Sequence, residues 1–381
     1  MSELLTRGVT NVTPKALAEK RLKAGKPIRV YLGIDPTGAH LHLGHSVPLR
    51  KLQAFADEGN EVIFLIGSFT AMIGDPSGQD KMRSAMTKEE VEQNFEEYKK
   101  QAEKVLDFSK IKIVYNHEWL EKLGFADIAK LASHVTVQQM LERDMFDKRI
   151  KEGNPITVTE FLYPLMVGYD SVELDVDCEL GGNDQYFNML TGRTLQTALG
   201  KKDKFVLTTK LIEGTDGRKM SKTYNNCIYL DDSANDMFGK TMSIKDELME
   251  VYFECCTDVP MDEVEKILAG KPRDAKVRLA KEIVTLYHSA KDADAAETNF
   301  DTVFKDGGVP DDMPEATVKK GSTVIDVLVA EGLISSKSEA RRLIEQGGIK
   351  KDDTAIDLIE AKIEEGIYKV GKRKFLKVTV S

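Results

Sequence analysis

The sequence predicts an α/β protein: a parallel-sheet unit first, a helical segment next, and a small α+β module last. Three observations carry this. Between residue 29 and about residue 208, apolar runs too short for helices alternate with longer stretches of helical spacing. From 231 to about 306 the strand signals give way to helical ones, including Met261 to Leu268 and Ala275 to Tyr287. Gly307-Gly-Val-Pro-Asp-Asp-Met-Pro314 then breaks all periodicity, and one capped helix and a terminal β-like stretch follow it. The expected boundaries are 1–230, 231–314 and 315–381.

The first half is organised around Arg29 to His45. Val30 to Ile34 is a buried strand by its length, and Asp35, Pro36 and Gly38 force a turn after it. A helical pattern (Val47, Leu49, Leu52, Phe55, Ala56) follows His42-Leu-Gly-His45, with Pro48 expected in its first turn, where a missing amide hydrogen is tolerated. Strand, turn and helix start gather unpaired backbone N–H groups where an anionic phosphate can be held. Two histidines three apart are by themselves an ordinary surface feature. A metal site lacks a third His or a Cys nearby in sequence, and no metal ligand is assigned.

The whole string is more specific. Tyr31, Gly33, Asp35-Pro36-Thr37 and His42-Leu43-Gly44-His45 resemble the His-x-Gly-His signature of class I aminoacyl-tRNA synthetases, in the bacterial-type tyrosyl form. Gly217-Arg-Lys-Met-Ser-Lys-Thr223 resembles the lysine loop that closes over ATP in the same class, in the expected order and separation. The resemblance spans nearly the whole chain. It implies a Rossmann-like catalytic domain, a helical anticodon-side domain and a small RNA-binding domain.

Bulk properties fit a globular chain: 381 residues, 41% apolar and 31% charged. No apolar run approaches the roughly 18 residues that cross a bilayer, and the amino terminus lacks a signal-peptide pattern. No membrane association is therefore expected. The four scattered cysteines (Cys178, Cys227, Cys255, Cys256) point to reduced thiols and a cytoplasmic setting. A net charge of −9 argues against a general nucleic-acid coat while leaving room for a local basic face.

Along the chain, residues 1 to 28 read as helical, with Ala16, Leu17 and Leu22 as a weak stripe. Glu61 to Ile66, Ile111 to Tyr115, Asp175 to Leu180 and Phe205 to Thr208 read as further strands, and Lys88 to Asp107 as a charged helix outside the sheet. Gly67 to Gly78 is a glycine-rich loop whose apolar Phe69, Met72 and Ile73 argue that it folds back over something. By resemblance its Asp75 meets a substrate ammonium, for which a buried carboxylate is a natural partner. Lys81 and Arg83 are either solvated charges or a clamp for the triphosphate, and the resemblance favours the clamp. From Trp119 to Asp170 the pattern is helical. Its apolar stripe (Val137, Met140, Leu141, Met145) is open to two readings, core or the two-fold interface of a homodimer.

If Thr159 to Asp170 is helical, Tyr163, Val167 and Asp170 share one face. A buried Asp170 requires a partner. The resemblance implies that Asp170 and Tyr31 hold a tyrosine hydroxyl from two sides while Tyr163 faces the ammonium. Such a site refuses phenylalanine, which leaves both groups unsatisfied. Tyrosyl-tRNA synthetases are the standard example of this refusal, and the magnitude of about 10⁵-fold is that of the family. The sequence departs from the pattern at Val167, where the family carries a glutamine that assists at the ammonium. Gly181-Gly-Asn-Asp-Gln185 is a glycine turn capped by Asp184 on the residues alone. By resemblance, Gly182 and Asp184 meet the adenosine ribose and Gln185 the substrate carboxylate. Leu211 and Ile212 lead into the lysine loop and, with Gly33, Asp35, Thr37 and Gly44, belong to the nucleotide site so implied.

Nothing in this constellation is a protein nucleophile. The implied reaction has the tyrosine carboxylate attack the ATP α-phosphorus, giving tyrosyl-adenylate and pyrophosphate, after which the terminal adenosine of tRNA(Tyr) takes the tyrosyl group. The protein positions reactants and neutralises charge. His42, His45, Lys219, Lys222 and Thr223 would do so at the phosphates, with Mg²⁺ carried on ATP. In the last module, Ser336-Lys-Ser-Glu339 has capping-box spacing, and Ala340, Leu343 and Ile344 form one face ended by Gly347. Arg341, Arg342, Lys372 and Arg373 are solvated charges on the bland reading. Ser-Lys-Ser-Glu-Ala-Arg-Arg-Leu-Ile resembles a small RNA-binding module of bacterial tyrosyl-tRNA synthetases, which places the arginines at phosphates. The expected activity is tyrosine–tRNA ligase; tryptophan–tRNA ligase and a catalytically silent RNA-binding relative are the alternatives.

Overall fold

A computed structural model describes residues 3–38, 40–76, 86–141, 144–304, 313–352, 354–371 and 374–380. Lys81, Arg83, Lys372 and Arg373, and most of the 307–314 stretch, lie outside them. The chain divides into two compact units, Met1–Ala293 and Asp294–Ser381. The helices between residue 231 and Ala293 belong to the same unit as the first sheet.

The first unit is built on six strands: β1 (Val9–Thr13), β2 (Arg29–Ile34), β3 (Glu61–Ile66), β4 (Ile111–Tyr115), β5 (Cys178–Gly182) and β6 (Phe205–Thr209). Their spatial order is β1-β6-β5-β2-β3-β4, all parallel except β1, which runs antiparallel on β6. Runs such as Glu61–Ile66, buried from Val62 onward, form central strands because both faces of a parallel sheet are covered. The chain leaves β2 toward β3 and β4 on one side, and returns to β5 and β6 on the other. The order therefore reverses between β2 and β5, and ligands of open parallel sheets bind beyond the carboxyl ends of the strands at such a point.

Several expectations need correction. β1 was not foreseen, since Val9–Thr13 falls within a segment read as helical; helix there is confined to Lys15–Lys23 and a single turn at Glu3–Leu5. Val-Thr-Asn-Val-Thr has no apolar face, and only its pairing with β6 makes it a strand. The fourth run begins at Cys178 and not at Asp175, because Asp175 ends the preceding helix in the left-handed conformation (φ 45°). Helix Leu43–Asp57 starts at Leu43, which makes Pro48 its sixth residue. Without an N–H, Pro48 leaves the Gly44 carbonyl with no helical donor. The Trp119 to Asp170 region is helical as expected, and among the described residues it is divided into His117–Leu120, Phe125–Ala132, Val137–Leu141, Asp144–Lys151 and Val158–Leu174.

The second unit holds β7 (Glu315–Val318), β8 (Ile349–Lys351), β9 (Thr354–Ala355), β10 (Gly366–Val370) and β11 (Lys374–Val380) in the order β7-β11-β10-β8-β9. Helices Val324–Ala330 and Lys337–Glu345 supply Val324, Leu328, Ala340 and Ile344 to its core beside Tyr368 and Leu376. Ser336 Oγ caps the second helix by accepting from Glu339 N at 3.2 Å.

Candidate active site

Two polar clusters lie beyond the β2 and β5 ends. The first begins at Asp35, directly after β2. Its Oδ1 accepts from Thr70 Oγ1 at 2.6 Å and its Oδ2 from Tyr163 OH at 2.8 Å. A Cβ on Gly67 would lie 1.9 Å from Asp35 Oδ1 and 2.4 Å from Thr70 Oγ1, so that position has no room for a side chain. Asn116 Nδ2 donates to Thr70 Oγ1 at 3.1 Å and to Asp170 Oδ2 at 3.2 Å, and Trp119 Nε1 donates to Asp170 Oδ1 at 2.8 Å. Asp170 thus has the partners its burial demands, and they come from the β4 end. Burial still pushes its carboxyl well above the usual range, with the Trp119 and Asn116 bonds opposing. Burial, followed by the nearby Asp35 and Asp75 charges, raises the Tyr163 phenol.

Tyr163, half-buried Val167 and buried Asp170 all lie on helix Val158–Leu174, at the one-face spacing expected. Asp75 receives Gln185 Nε2 at 2.8 Å, and Gln185 Oε1 receives Asn188 Nδ2 at 2.8 Å. The glycine-rich loop and the turn after β5 therefore meet. Tyr31 on β2 is 1% exposed, and its hydroxyl lies 3.0 Å from Ser171 Oγ.

The second cluster is the histidine corner. His42 precedes helix Leu43–Asp57, and its ring lies 3.8 Å, centroid to centroid, from that of His45. His42 N donates to His45 Nδ1 at 3.3 Å, and His42 Nδ1 is buried with no hydrogen-bond partner. Both imidazoles are held neutral. Burial is the larger cause for each; His45 and Lys219 add to it at His42, and Lys219 at His45. His42 is drawn down to about 2 and His45 to about 4, although the His45 residue as a whole remains exposed.

The late basic segment reaches this corner. Leu43 N donates to Ile228 O and Leu230 N to Leu41 O, both at 2.9 Å, so the chain after the lysine loop is laced to the start of the histidine helix. Lys219 Nζ lies 3.4 Å from Asp184 Oδ2 in the turn after β5. A Cβ on Gly44 would come 3.8 Å from Ile212, and one on Gly182 would come 3.5 Å from Leu211 and 2.7 Å from Asp184. The loop itself is a hairpin with Gly217 at φ 81°. Asn226 staples its base, donating to Asp216 at 2.7 Å and Lys219 O at 3.1 Å and accepting from Ser221 N at 2.8 Å. Lys222 and Thr223 occupy an exposed turn beyond, where Ser221 Oγ accepts from Thr223 N at 3.3 Å. Gly33 and Thr37 are exposed on either side of Asp35.

Sequence reasoning passed over Thr70, Asn116, Trp119, Ser171 and Asn11. Asn11 on β1 donates to Asn183 Oδ1 at 2.8 Å and so supports the turn after β5. Trp119 carried a signal, because a buried indole seeks an acceptor for its N–H. In the second unit Arg341 and Arg342 are both exposed on helix Lys337–Glu345.

Known proteins resemble this chain along most of its length. Residues 23–305 match the family model described as tRNA synthetases class I (W and Y). Tyrosine--tRNA ligase 2 of Vibrio vulnificus (strain YJ016) is 47% identical over 385 residues, covering 99% of this chain and 98% of the relative. Tyrosine--tRNA ligase of Carboxydothermus hydrogenoformans is 47% identical over 397 residues, covering 99% and 97%. Among solved structures, a C-terminally truncated Coccidioides posadasii mitochondrial tyrosyl-tRNA synthetase aligns with a TM-score of 0.63 at 26% identity, over 78% of this chain and 90% of that one. The chain belongs to the class I tRNA synthetases of the W and Y family.

Proposed function

We propose that the chain is a tyrosine–tRNA ligase, joining L-tyrosine to ATP as tyrosyl-adenylate with release of pyrophosphate and then passing the tyrosyl group to tRNA(Tyr). The observation that carries this is the convergence of the histidine corner, the Gly182–Gln185 turn and Lys219, beside a second cluster of Asp35, Asp75, Tyr163 and Asp170. ATP would lie along Gly44, Ile212, Gly182 and Leu211, where glycine lets a flat ring approach the backbone. Neutral His42 and His45 would offer ring N–H groups to phosphate oxygens. Lys219, Lys222 and Thr223 would receive the departing pyrophosphate, with Mg²⁺ entering as part of the ATP substrate. Asp184 would face the ribose. Tyrosine would place its ammonium near Asp75 and Tyr163, its carboxylate near Gln185 and its hydroxyl near Tyr31 and Asp170.

Other features support the reading. Phe125 (89% exposed), Val137, Ile150 and Val158 are large exposed apolar residues between β4 and the end of helix Val158–Leu174's first turn. Exposed large apolar side chains gathered in one stretch of chain between β4 and β5 favour a homodimer through this insertion. The exposed Arg341 and Arg342 suit contact with tRNA phosphates. The four buried, unpaired cysteines suit a reducing, cytoplasmic compartment.

Amino-acid-dependent exchange of pyrophosphate into ATP tests the activity. Exchange with tyrosine and none with tryptophan is expected. Exchange with tryptophan alone would overturn the substrate, and no exchange with either would overturn the enzyme.

A further inference from the structure

Behind Tyr31 lies a charged cluster that no substrate contact requires. Lys204, wholly buried, stands just before β6 and forms an ion pair with Glu179 of β5, itself 3% exposed. Ser171, the neighbour of Asp170, sits between this pair and Tyr31. Ser171 Oγ lies 2.5 Å from Lys204 Nζ, 3.0 Å from Glu179 Oε2 and 3.0 Å from Tyr31 OH. The ammonium also lies 5.9 Å from the centroid of the Tyr31 ring. Gly192 makes the space: a Cβ there would stand 2.7 Å from Lys204 Nζ, 2.8 Å from Ser171 Oγ and 3.2 Å from Glu179 Oε2.

The hydrogen atoms can be assigned by elimination. An ammonium only donates and a carboxylate only accepts, while a serine hydroxyl has one proton and two lone pairs. Ser171 therefore gives its proton to Glu179 and accepts from Lys204. Its remaining lone pair faces Tyr31, which must be the donor of that bond. We propose that Lys204 and Glu179 are positioning residues for substrate choice: through Ser171 they draw the Tyr31 proton away from the site, so that Tyr31 meets the substrate hydroxyl as an acceptor. This rests on the tyrosine-activating reading above. The phenol of tyrosine then donates to Tyr31, and phenylalanine leaves that lone pair buried and unanswered. Burial shifts the Asp170 carboxyl toward its protonated form, the form that can donate to the phenolic oxygen, while the Trp119 and Asn116 bonds oppose that shift.

The test compares kcat/KM for tyrosine and phenylalanine in pyrophosphate exchange, for the full chain and two variants. Ser171→Ala removes the link and leaves the ion pair. Lys204→Met/Glu179→Leu removes both charges together, because apolar residues of similar volume commonly replace a buried pair without loss of fold. Each variant is expected to lower kcat/KM for tyrosine roughly tenfold, with phenylalanine and the KM for ATP unchanged, so that discrimination narrows by the same factor. A merely structural role would lower both amino acids together. An unchanged tyrosine-to-phenylalanine ratio in folded Ser171→Ala overturns the proposal, whether or not the double variant folds. Absence of tyrosine-dependent exchange in the unaltered chain would instead overturn the tyrosine reading and this proposal with it.

Discussion

Tyr163 donates its hydroxyl proton to Asp35 across 2.8 Å, tying helix Val158–Leu174 to the turn that leaves β2. Tyr163→Phe deletes that donor and, on the proposed placement, one neighbour of the substrate ammonium. Hydrogen bonds to charged groups contribute about 1.5–3 kcal/mol, so the tyrosine Kd should rise by about tenfold or more. Equilibrium dialysis with labelled tyrosine measures this. An unchanged Kd would separate Tyr163 from amino-acid binding.

Val167 occupies the same helical face and offers no polar atom between Tyr163 and Asp170. Val167→Gln should tighten tyrosine binding about tenfold by adding a charge-assisted hydrogen bond at the ammonium. The same dialysis experiment decides it, and weaker or equal binding would show that the valine is compensated elsewhere.

Lys222 stands exposed in the turn beyond the Asn226 staple. Removing a donor that acts on developing charge typically costs about 10²–10³ in rate. Lys222→Ala should therefore slow single-turnover adenylate formation by about that factor while tyrosine affinity stays unchanged. A normal rate would exclude the lysine from the phosphate chemistry.

The histidine corner carries a pH signature. Folding lowers His45 from an ordinary value near 6.5 to about 4 and His42 to about 2, so the unfolded chain binds more protons between these values. The stability that neutral imidazoles supply is complete above about pH 6.5, and falls away as pH drops through 4 toward 2. Thermal unfolding followed from pH 7 to pH 4 should show a shallower loss in His42→Asn/His45→Asn than in the unaltered chain. Parallel curves would mean that the corner does not suppress protonation.

How much of this was legible depended on whether a residue's neighbours lie close in sequence. Glu61–Ile66 and Ile111–Tyr115 matched their expected limits because continuous apolar runs are consistent with strands buried on both faces. The two motif regions were also legible, since each is a short string. β1 was not, because its stability comes from a partner about 200 residues away. Nor was the Lys204–Glu179 pair: a lysine beside an apolar run reads as a solvated end, and only the fold places a carboxylate against it. Asp170 illustrates the middle case. The need for a partner followed from burial alone, but its identity as Trp119 and Asn116 depended on where β4 ends.

Gly67 is fixed by volume and not by backbone freedom. A methyl group there would overlap the Asp35 carboxylate, at 1.9 Å from Oδ1, and would dislodge the acid that Tyr163 and Thr70 both grip. A library randomised at that codon and selected for charging activity should return glycine alone. Recovery of alanine clones would mean that this corner yields where its close contacts say it cannot.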